Sequence, residues 1–351
     1  MTHGVFRVGL TGDFFNLDGS PVYEHFDLSP LTREAGLELI FLPTRAGDLI
    51  KPEIVEDLDA LIVEVARIEA SSLRPNGRLK LIARFGTGFD LVNVEACTAA
   101  GVAVTTTPDA TAEPVATAIL ALILTLTLNL LAKDRLARLG EPGWAQQSAY
   151  PGVGLRGRAL GSLGCGRIAQ EMFRIVAPLG MRPLAHDPFV EPAAIVERGI
   201  EAVGLEELFS TADVVAVNCP LTPRTRGIVD MRLLSLMKPT SFLINTARGG
   251  IVDQVALTNV LARRGIAGAG LDVFEREPTN PDDPLMGFDN VVLGPHALAY
   301  TDACISAIGR SAIAAVLDVK NGRVPSTVLN RSVNGDLRLR HKPGLDARPM
   351  R

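Results

Sequence analysis

Gly164-Cys165-Gly166-Arg167-Ile168-Ala169 is the stretch whose residue types and spacing carry the clearest chemistry. It follows an apolar run and opens a helical pattern. A first glycine permits a tight turn, a second lets a phosphate approach the backbone, and a small residue at the third place allows close helix–strand packing. The opening N–H groups around Arg167 and Ile168 would meet an anion with the positive end of a helix dipole. Such a turn alone is weak evidence. Here Asp187 lies 21 residues after Gly166, closing the next apolar run, where a carboxylate can accept hydrogen bonds from ribose hydroxyls. The two features together read as a dinucleotide site. A carboxylate there would also repel a 2′-phosphate, which favours NAD over NADP.

The elements that must position these residues alternate along the chain. Apolar runs at Phe6–Leu10, Glu38–Leu42, Ala60–Val63, Leu79–Ala83 and Val102–Val104 read as strands, with a helix over Val92–Ala100 ending at Gly101. A second series gives strands at Ala159–Leu163, Arg182–His186, Val214–Asn218, Ser241–Ile244, Ala269–Asp272 and Val291–Leu293, with a helix over Arg167–Leu179. Short apolar strands separated by helices predict two α/β domains, each a doubly wound parallel sheet covered on both faces. A further helix, Thr301–Val319, is long enough to return to the first domain.

Composition narrows the function. A net charge of −4 offers no basic surface to nucleic acid or anionic lipid. Cys97, Cys165, Cys219 and Cys304 are widely spaced and form no CxxC pair, so neither a zinc site nor a disulfide framework is expected. A reducing cytoplasm follows as the expected compartment. Residues 114–132 carry no charge over 19 positions, enough at ~1.5 Å per residue to just cross a bilayer. Threonines and Asn129 interrupt this run, so a helix of about 114–137 buried between domains or subunits is expected instead. The tail 335–351, rich in Lys, Arg and chain breakers, is expected to be disordered.

Three later segments each place polar groups just beyond a strand, at the edge where open α/β sheets bind ligands. They are Asn245-Thr246-Ala247-Arg248-Gly249-Gly250, Leu271-Asp272 through Glu275-Arg276-Glu277-Pro278, and Gly294-Pro295-His296. With Arg84-Phe85-Gly86-Thr87-Gly88, Thr107-Pro108, Cys219-Pro220-Leu221-Thr222 and the glycine fingerprint, they occur in an order that resembles the D-isomer-specific 2-hydroxyacid dehydrogenases. The resemblance covers about residues 50–334. It implies a flavodoxin-like substrate domain (1–108 with 303–334) into which a Rossmann NAD-binding domain (109–302) is inserted, and an active site in the cleft between them.

By that resemblance Arg248, Glu277 and His296 are catalytic, and hydride passes between NAD(H) and a small 2-hydroxy or 2-keto acid with D stereospecificity. The residue types suit these roles. Arg248 offers a planar fork to the substrate carboxylate, and His296 can exchange the proton of the hydroxyl. Glu277 would bond the other ring nitrogen and raise the imidazole pKa. The resemblance further assigns Thr87 and Gly88 to the substrate carboxylate, Asp272 to the nicotinamide carboxamide, and Pro220, Thr246 and Ala247 to the cofactor cleft. It also implies a homodimer formed through the apolar helix. Three departures stand out. Ala169 replaces the third fingerprint glycine, and Thr117-Ala118 stand where the family often has an acidic residue and His. Tyr300 occupies a place near which the family has small residues or tryptophan, and so bears on substrate choice. Two other readings share the fold: a dinucleotide-sensing scaffold like the transcriptional co-repressors, and a hydrolase or lyase with tightly held NAD.

Asp187 at the ribose position generates the first prediction. NADH should be preferred over NADPH by at least about tenfold in kcat/KM, or ~1.4 kcal/mol. Asp187→Ser should narrow that gap. Equal kcat/KM for the two cofactors in the unaltered enzyme would refute the assignment.

Overall fold

A computed structural model describes residues 5–16, 18–44 and 47–335. The chain divides into two compact units, Met1–Thr111 with Thr301–Arg351, and Ala112–Tyr300. Most of the tail expected to be disordered, from residue 336 onward, lies outside the described residues.

The first unit holds β1 (Phe6–Leu10), β2 (Leu37–Phe41), β3 (Ala60–Val63), β4 (Leu81–Arg84) and β5 (Ala103–Thr105). They form one parallel sheet in the order β2-β1-β3-β4-β5, the flavodoxin-like winding. Side chains alternate between two cores, as the two-residue period of a strand requires. In β3, Ala60 and Ile62 join Phe6, Val8 and Leu81 on one face, where Ile308, Ile313 and Val316 of the helix Asp302–Lys320 cover them. Leu61 and Val63 enter the other core with Ile82, Val104 and Cys97.

The second unit holds β6 (Ala159–Leu163), β7 (Arg182–His186), β8 (Glu201–Ala202), β9 (Val214–Val217), β10 (Phe242–Asn245), β11 (Gly268–Leu271) and β12 (Val291–Leu293). The order β12-β11-β10-β9-β6-β7-β8 is the Rossmann winding with a seventh strand. Val215 and Val217 face a core built with helices Leu205–Thr211 and Gln254–Ala262. Val214 and Ala216 face the other, with helix Arg167–Val176 and the long helix Pro108–Thr127.

The long helix differs from the single 114–137 element expected. It begins at Pro108, whose fixed φ suits a first helical position, and stops at Thr127; a second helix, Leu130–Arg138, follows. Asn129 makes the break. It adopts the left-handed region at φ 52°, which Asn tolerates, and its Nδ2 donates to Pro151 O at 2.9 Å. Pro114 inside the helix costs about 3 kcal/mol. Burial of Ile119, Leu122, Ile123 and Leu126, at about 2 kcal/mol each, outweighs it. Among the described residues this is the one helix long and apolar enough to cross a membrane, and half of its apolar window is buried within the chain. Elements that the sequence reading did not give include the two-residue β8 and the short helix Glu141–Trp144.

The amino ends of both sheets are tied by an aspartate. Asp59, 4% exposed, accepts from the Arg7 backbone N–H at 2.9 Å, from Arg78 Nη2 at 2.7 Å and from Lys80 Nζ at 3.2 Å. Asp213 likewise accepts from the Ala159 N–H at 2.8 Å and Lys238 Nζ at 3.1 Å. Burial alone would raise the Asp59 carboxyl; the bonds from Arg78, Arg7 and Lys80 outweigh it and hold it below its ordinary range. A depressed carboxyl contributes stability above its unfolded pKa and loses it as pH falls through the folded one. Asp59→Asn should therefore cost about 1–3 kcal/mol at neutral pH. In urea unfolding curves the gap to the unaltered chain should close below about pH 4; a gap that persists would refute this account.

Candidate active site

All strands of the second sheet run parallel, so the turns after β6, β7, β9, β10, β11 and β12 gather along one edge. The glycine turn follows β6. Gly164 has φ 101°, and a Cβ there would sit 2.9 Å from Asn218 O, so conformation and space both demand glycine. Gly166 caps helix Arg167–Val176, and nothing lies within 4 Å of where its Cβ would point. Gly166 and Arg167 are exposed, Ile168 is half-buried, and Ala169 is fully buried in the core. After β7, Asp187 braces this turn: Oδ2 accepts the Cys165 N–H at 2.8 Å and Oδ1 the Phe189 N–H at 2.9 Å.

After β9, Pro220 is exposed and its carbonyl accepts from Thr225 Oγ1 at 2.6 Å. Burial pushes the neighbouring Cys219 thiol up to about 11, which leaves it protonated and unsuited to nucleophilic work. After β10, Asn245 folds the turn by accepting from the Ala247 N–H at 3.1 Å and donating to Arg248 O at 3.0 Å. The Arg248 guanidinium donates to Ala247 O at 2.8 Å. Thr246 Oγ1 is buried and has no hydrogen-bond partner among the described residues. Gly249 presses on the next turn so closely that a Cβ would lie 1.8 Å from the Phe274 carbonyl carbon.

The turns after β11 and β12 meet. Glu277 Oε1 accepts the Phe274 N–H at 2.9 Å, while Oε2 stands 2.7 Å from His296 Nδ1. Both side chains are partly open to solvent, at 36% and 40%. Burial would raise the Glu277 carboxyl. The hydrogen bond and charge of His296, the Phe274 N–H and the Arg248 charge outweigh it and hold Glu277 below its ordinary range. Asp272, 4% exposed, accepts the Ala297 N–H at 3.1 Å and the Leu298 N–H at 3.2 Å. Burial pushes its carboxyl up against the pull of those amides. His296 itself sits at φ 57°, a conformation L residues rarely adopt, in the turn that Asp272 holds. Tyr300, 44% exposed, closes the unit, and its N–H donates to Ala297 O at 2.9 Å.

The structure thus brings Arg248, Glu277, His296, Asp272 and Thr246 to one edge of one sheet. Thr87 and Gly88 belong to the first unit, in the loop after β4. There Thr87 Oγ1 bonds Thr111 Oγ1, and Gly88 O accepts from Arg84 Nε at 2.9 Å. Arg84, 6% exposed, also donates to Val63 O at 3.1 Å and so shapes the loop. Sequence reasoning gave no role to Gly249 or Gly294. Both are packing glycines, Gly294 with only 2.3 Å from a Cβ to Asp272 Oδ1, and their signal was adjacency to Arg248 and His296. Among the described residues no group of three or more His, Cys, Asp or Glu side chains could hold a metal ion. The open space at Gly166, the helix start and the orphaned Thr246 hydroxyl fit a dinucleotide.

Residues 120–297 match the D-isomer specific 2-hydroxyacid dehydrogenase, NAD binding domain, family. The chain belongs to the D-isomer-specific 2-hydroxyacid dehydrogenase family. It is 38% identical over 272 residues to a glyoxylate reductase of Aeropyrum pernix, covering 76% of this chain and 81% of that one. It is also 38% identical over 248 residues to a D-3-phosphoglycerate dehydrogenase of Mycobacterium bovis, which covers 70% of this chain but 46% of that longer one. Among solved structures it resembles an NADPH-dependent glyoxylate/hydroxypyruvate reductase of Sinorhizobium meliloti in complex with NADP and malonate. The TM-score is 0.78 at 26% identity, covering 97% of this chain and 99% of that one. This 2-hydroxyacid dehydrogenase is therefore an oxidoreductase that moves hydride between a nicotinamide dinucleotide and a 2-hydroxy or 2-keto acid. The scaffold reading is not favoured, since these relatives are enzymes of that reaction class.

Proposed function

We propose that this dehydrogenase reduces a small 2-keto acid of the glyoxylate and hydroxypyruvate class, with His296 as the proton donor. The observation that carries the reading is the 2.7 Å contact between His296 Nδ1 and Glu277 Oε2. It leaves the other ring nitrogen for the substrate oxygen. Arg248 binds the substrate carboxylate through its fork, and its charge together with that of His296 keeps Glu277 ionised. The backbone N–H groups of Thr87 and Gly88 are further carboxylate donors in this proposal, and Tyr300 bears on the choice of substrate tail.

Gly164, Gly166, Arg167 and Ile168 would hold the pyrophosphate, with Asp187 on the adenine ribose and a preference for NAD. Pro220, Thr246 and Ala247 would line the nicotinamide end, and Asp272 would receive the carboxamide. When bound, the nicotinamide supplies the hydride for reduction and takes it back in oxidation. On this reading the substrate domain is 1–108 with 303–334 and the NAD domain 109–302.

The proposal includes a cytoplasmic homodimer that binds neither nucleic acid nor membrane. Its support is the net charge of −4 and a cluster of exposed apolar side chains just past the long helix: Leu128, Leu130, Leu131, Leu139 and Trp144. Surface of that kind in a soluble protein needs a cover, and a second copy supplies one by two-fold symmetry.

Two measurements test this. NADH oxidation across 2-keto acids, from glyoxylate to aromatic acids, should show turnover that His296→Ala lowers by about 10²–10⁴ in kcat with NADH binding little changed. Reduction should fall as pH rises and hydroxy-acid oxidation should rise, because the donor must start charged. Glu277→Gln should move the fall in reduction to lower pH. Near-normal kcat and an unmoved profile in His296→Ala would assign the proton to another group. Light scattering at micromolar concentration should give twice the 37.4 kDa chain mass; a monodisperse monomer, or solubility only in detergent, would refute the dimer.

A further inference from the structure

We propose that Gln254 is a positioning residue of the reaction: it aims Glu277 at His296 by pinning both ends of the loop that carries Glu277. The inference rests on the acid–base reading above and concerns a side chain whose hydrogen bonds go to Glu275 and Asp283. Gln254 opens helix Gln254–Ala262, directly after its cap Asp253. Its Oε1 accepts the Glu275 N–H at 3.1 Å, and its Nε2 donates to Asp283 Oδ2 at 2.6 Å. A backbone donor on one side and a carboxylate on the other allow the amide only one orientation. Asp283 is fixed in turn, because its Oδ1 accepts the Leu285 N–H at 2.9 Å.

Between those two anchors, Glu275 and Asp283, the chain runs through Arg276 and Glu277, with Phe274 just before the first. The Phe274 N–H holds Glu277 Oε1 at 2.9 Å, so the segment that fixes the carboxylate is the one Gln254 fixes. Gly249 packs against the same Phe274–Glu275 peptide, where its own Cβ would have no room. Without the Gln254 amide, the Glu275 N–H loses its partner and the Asp283 side loses its link. Glu277 can then swing out of line with the imidazole. The charged groups acting on Glu277 and His296, namely Arg248 and Asp272, remain in place.

The test compares Gln254→Leu with Glu277→Gln in the intact enzyme, using glyoxylate reduction by NADH from pH 5 to 9. Gln254→Leu should lower kcat about tenfold, leave NADH binding by fluorescence unchanged, and move the fall of reduction towards the position seen in Glu277→Gln. The double variant Gln254→Glu with Asp283→Asn exchanges carbonyl and amide while keeping both bonds, and should restore rate and profile. A Gln254→Leu enzyme that only melts earlier, with its pH profile where it was, would overturn the positioning role. So would a folded double variant that restores neither rate nor profile. If Glu277→Gln itself leaves the profile in place, the acid–base reading fails first and this inference with it.

Discussion

A parallel sheet has no face it can leave in water, and both units of this chain are organised around that requirement. The inner strands send alternate side chains into two separate cores, as Ile62 and Leu61 do in the first unit and Val215 and Val214 in the second. Covering both faces takes crossover connections, most of them helical, and with all strands running one way their carboxyl ends collect on one side. The polar ends then divide the work. Amino ends are tied down by Asp59 and Asp213, each bonded to backbone and to Lys or Arg. Carboxyl ends carry the turns in which Asp187, Thr246, Asp272, Glu277 and His296 lie.

Within that edge, chemistry is held by backbone more than by side-chain packing. Two glycines close to Arg248 and His296, Gly249 and Gly294, have no room for a Cβ, so turns from separate strands interlock at van der Waals distance. Asp272 spends its carboxylate on the amides of Ala297 and Leu298 and so fixes the turn in which His296 adopts φ 57°. A conformation of that kind costs on the order of 1–3 kcal/mol and persists only where its surroundings over-determine it. The backbone that carries His296 is thereby held by Asp272.

The strands buried on both faces were the easiest features to read from sequence. Ala60–Val63 is a continuous apolar run, Ala159–Leu163 is one broken only by Gly161 and Ser162, and the observed bounds coincide with both. Runs whose ends are polar or small moved by a residue or two, as at Gly268–Leu271 and Phe242–Asn245, because hydrogen bonding and not hydropathy decides where a ladder stops. Asn129 broke a helix that composition alone would have carried to residue 137, since its reason is a bond to Pro151 across a loop. Glu277 and His296 were legible as polar groups past apolar strands and through family spacing. Gln254 was not, because its meaning arises only when a helix start meets two points of a loop more than twenty residues away.

The interrupted course of the first unit bears on how the protein is made. Its five strands are complete at Thr105, yet one face of their sheet is covered by Ile308, Ile313 and Val316 of a helix encoded some two hundred residues later. At about 5–20 residues per second, translation of the intervening stretch occupies on the order of ten to forty seconds. During that interval the second unit can close on its own, whereas Val8, Ile62 and Leu81 await their cover. The nascent chain therefore presents an apolar sheet face to its surroundings until the covering helix has been made. Slowing synthesis between the two segments lengthens that exposure without altering a single native contact.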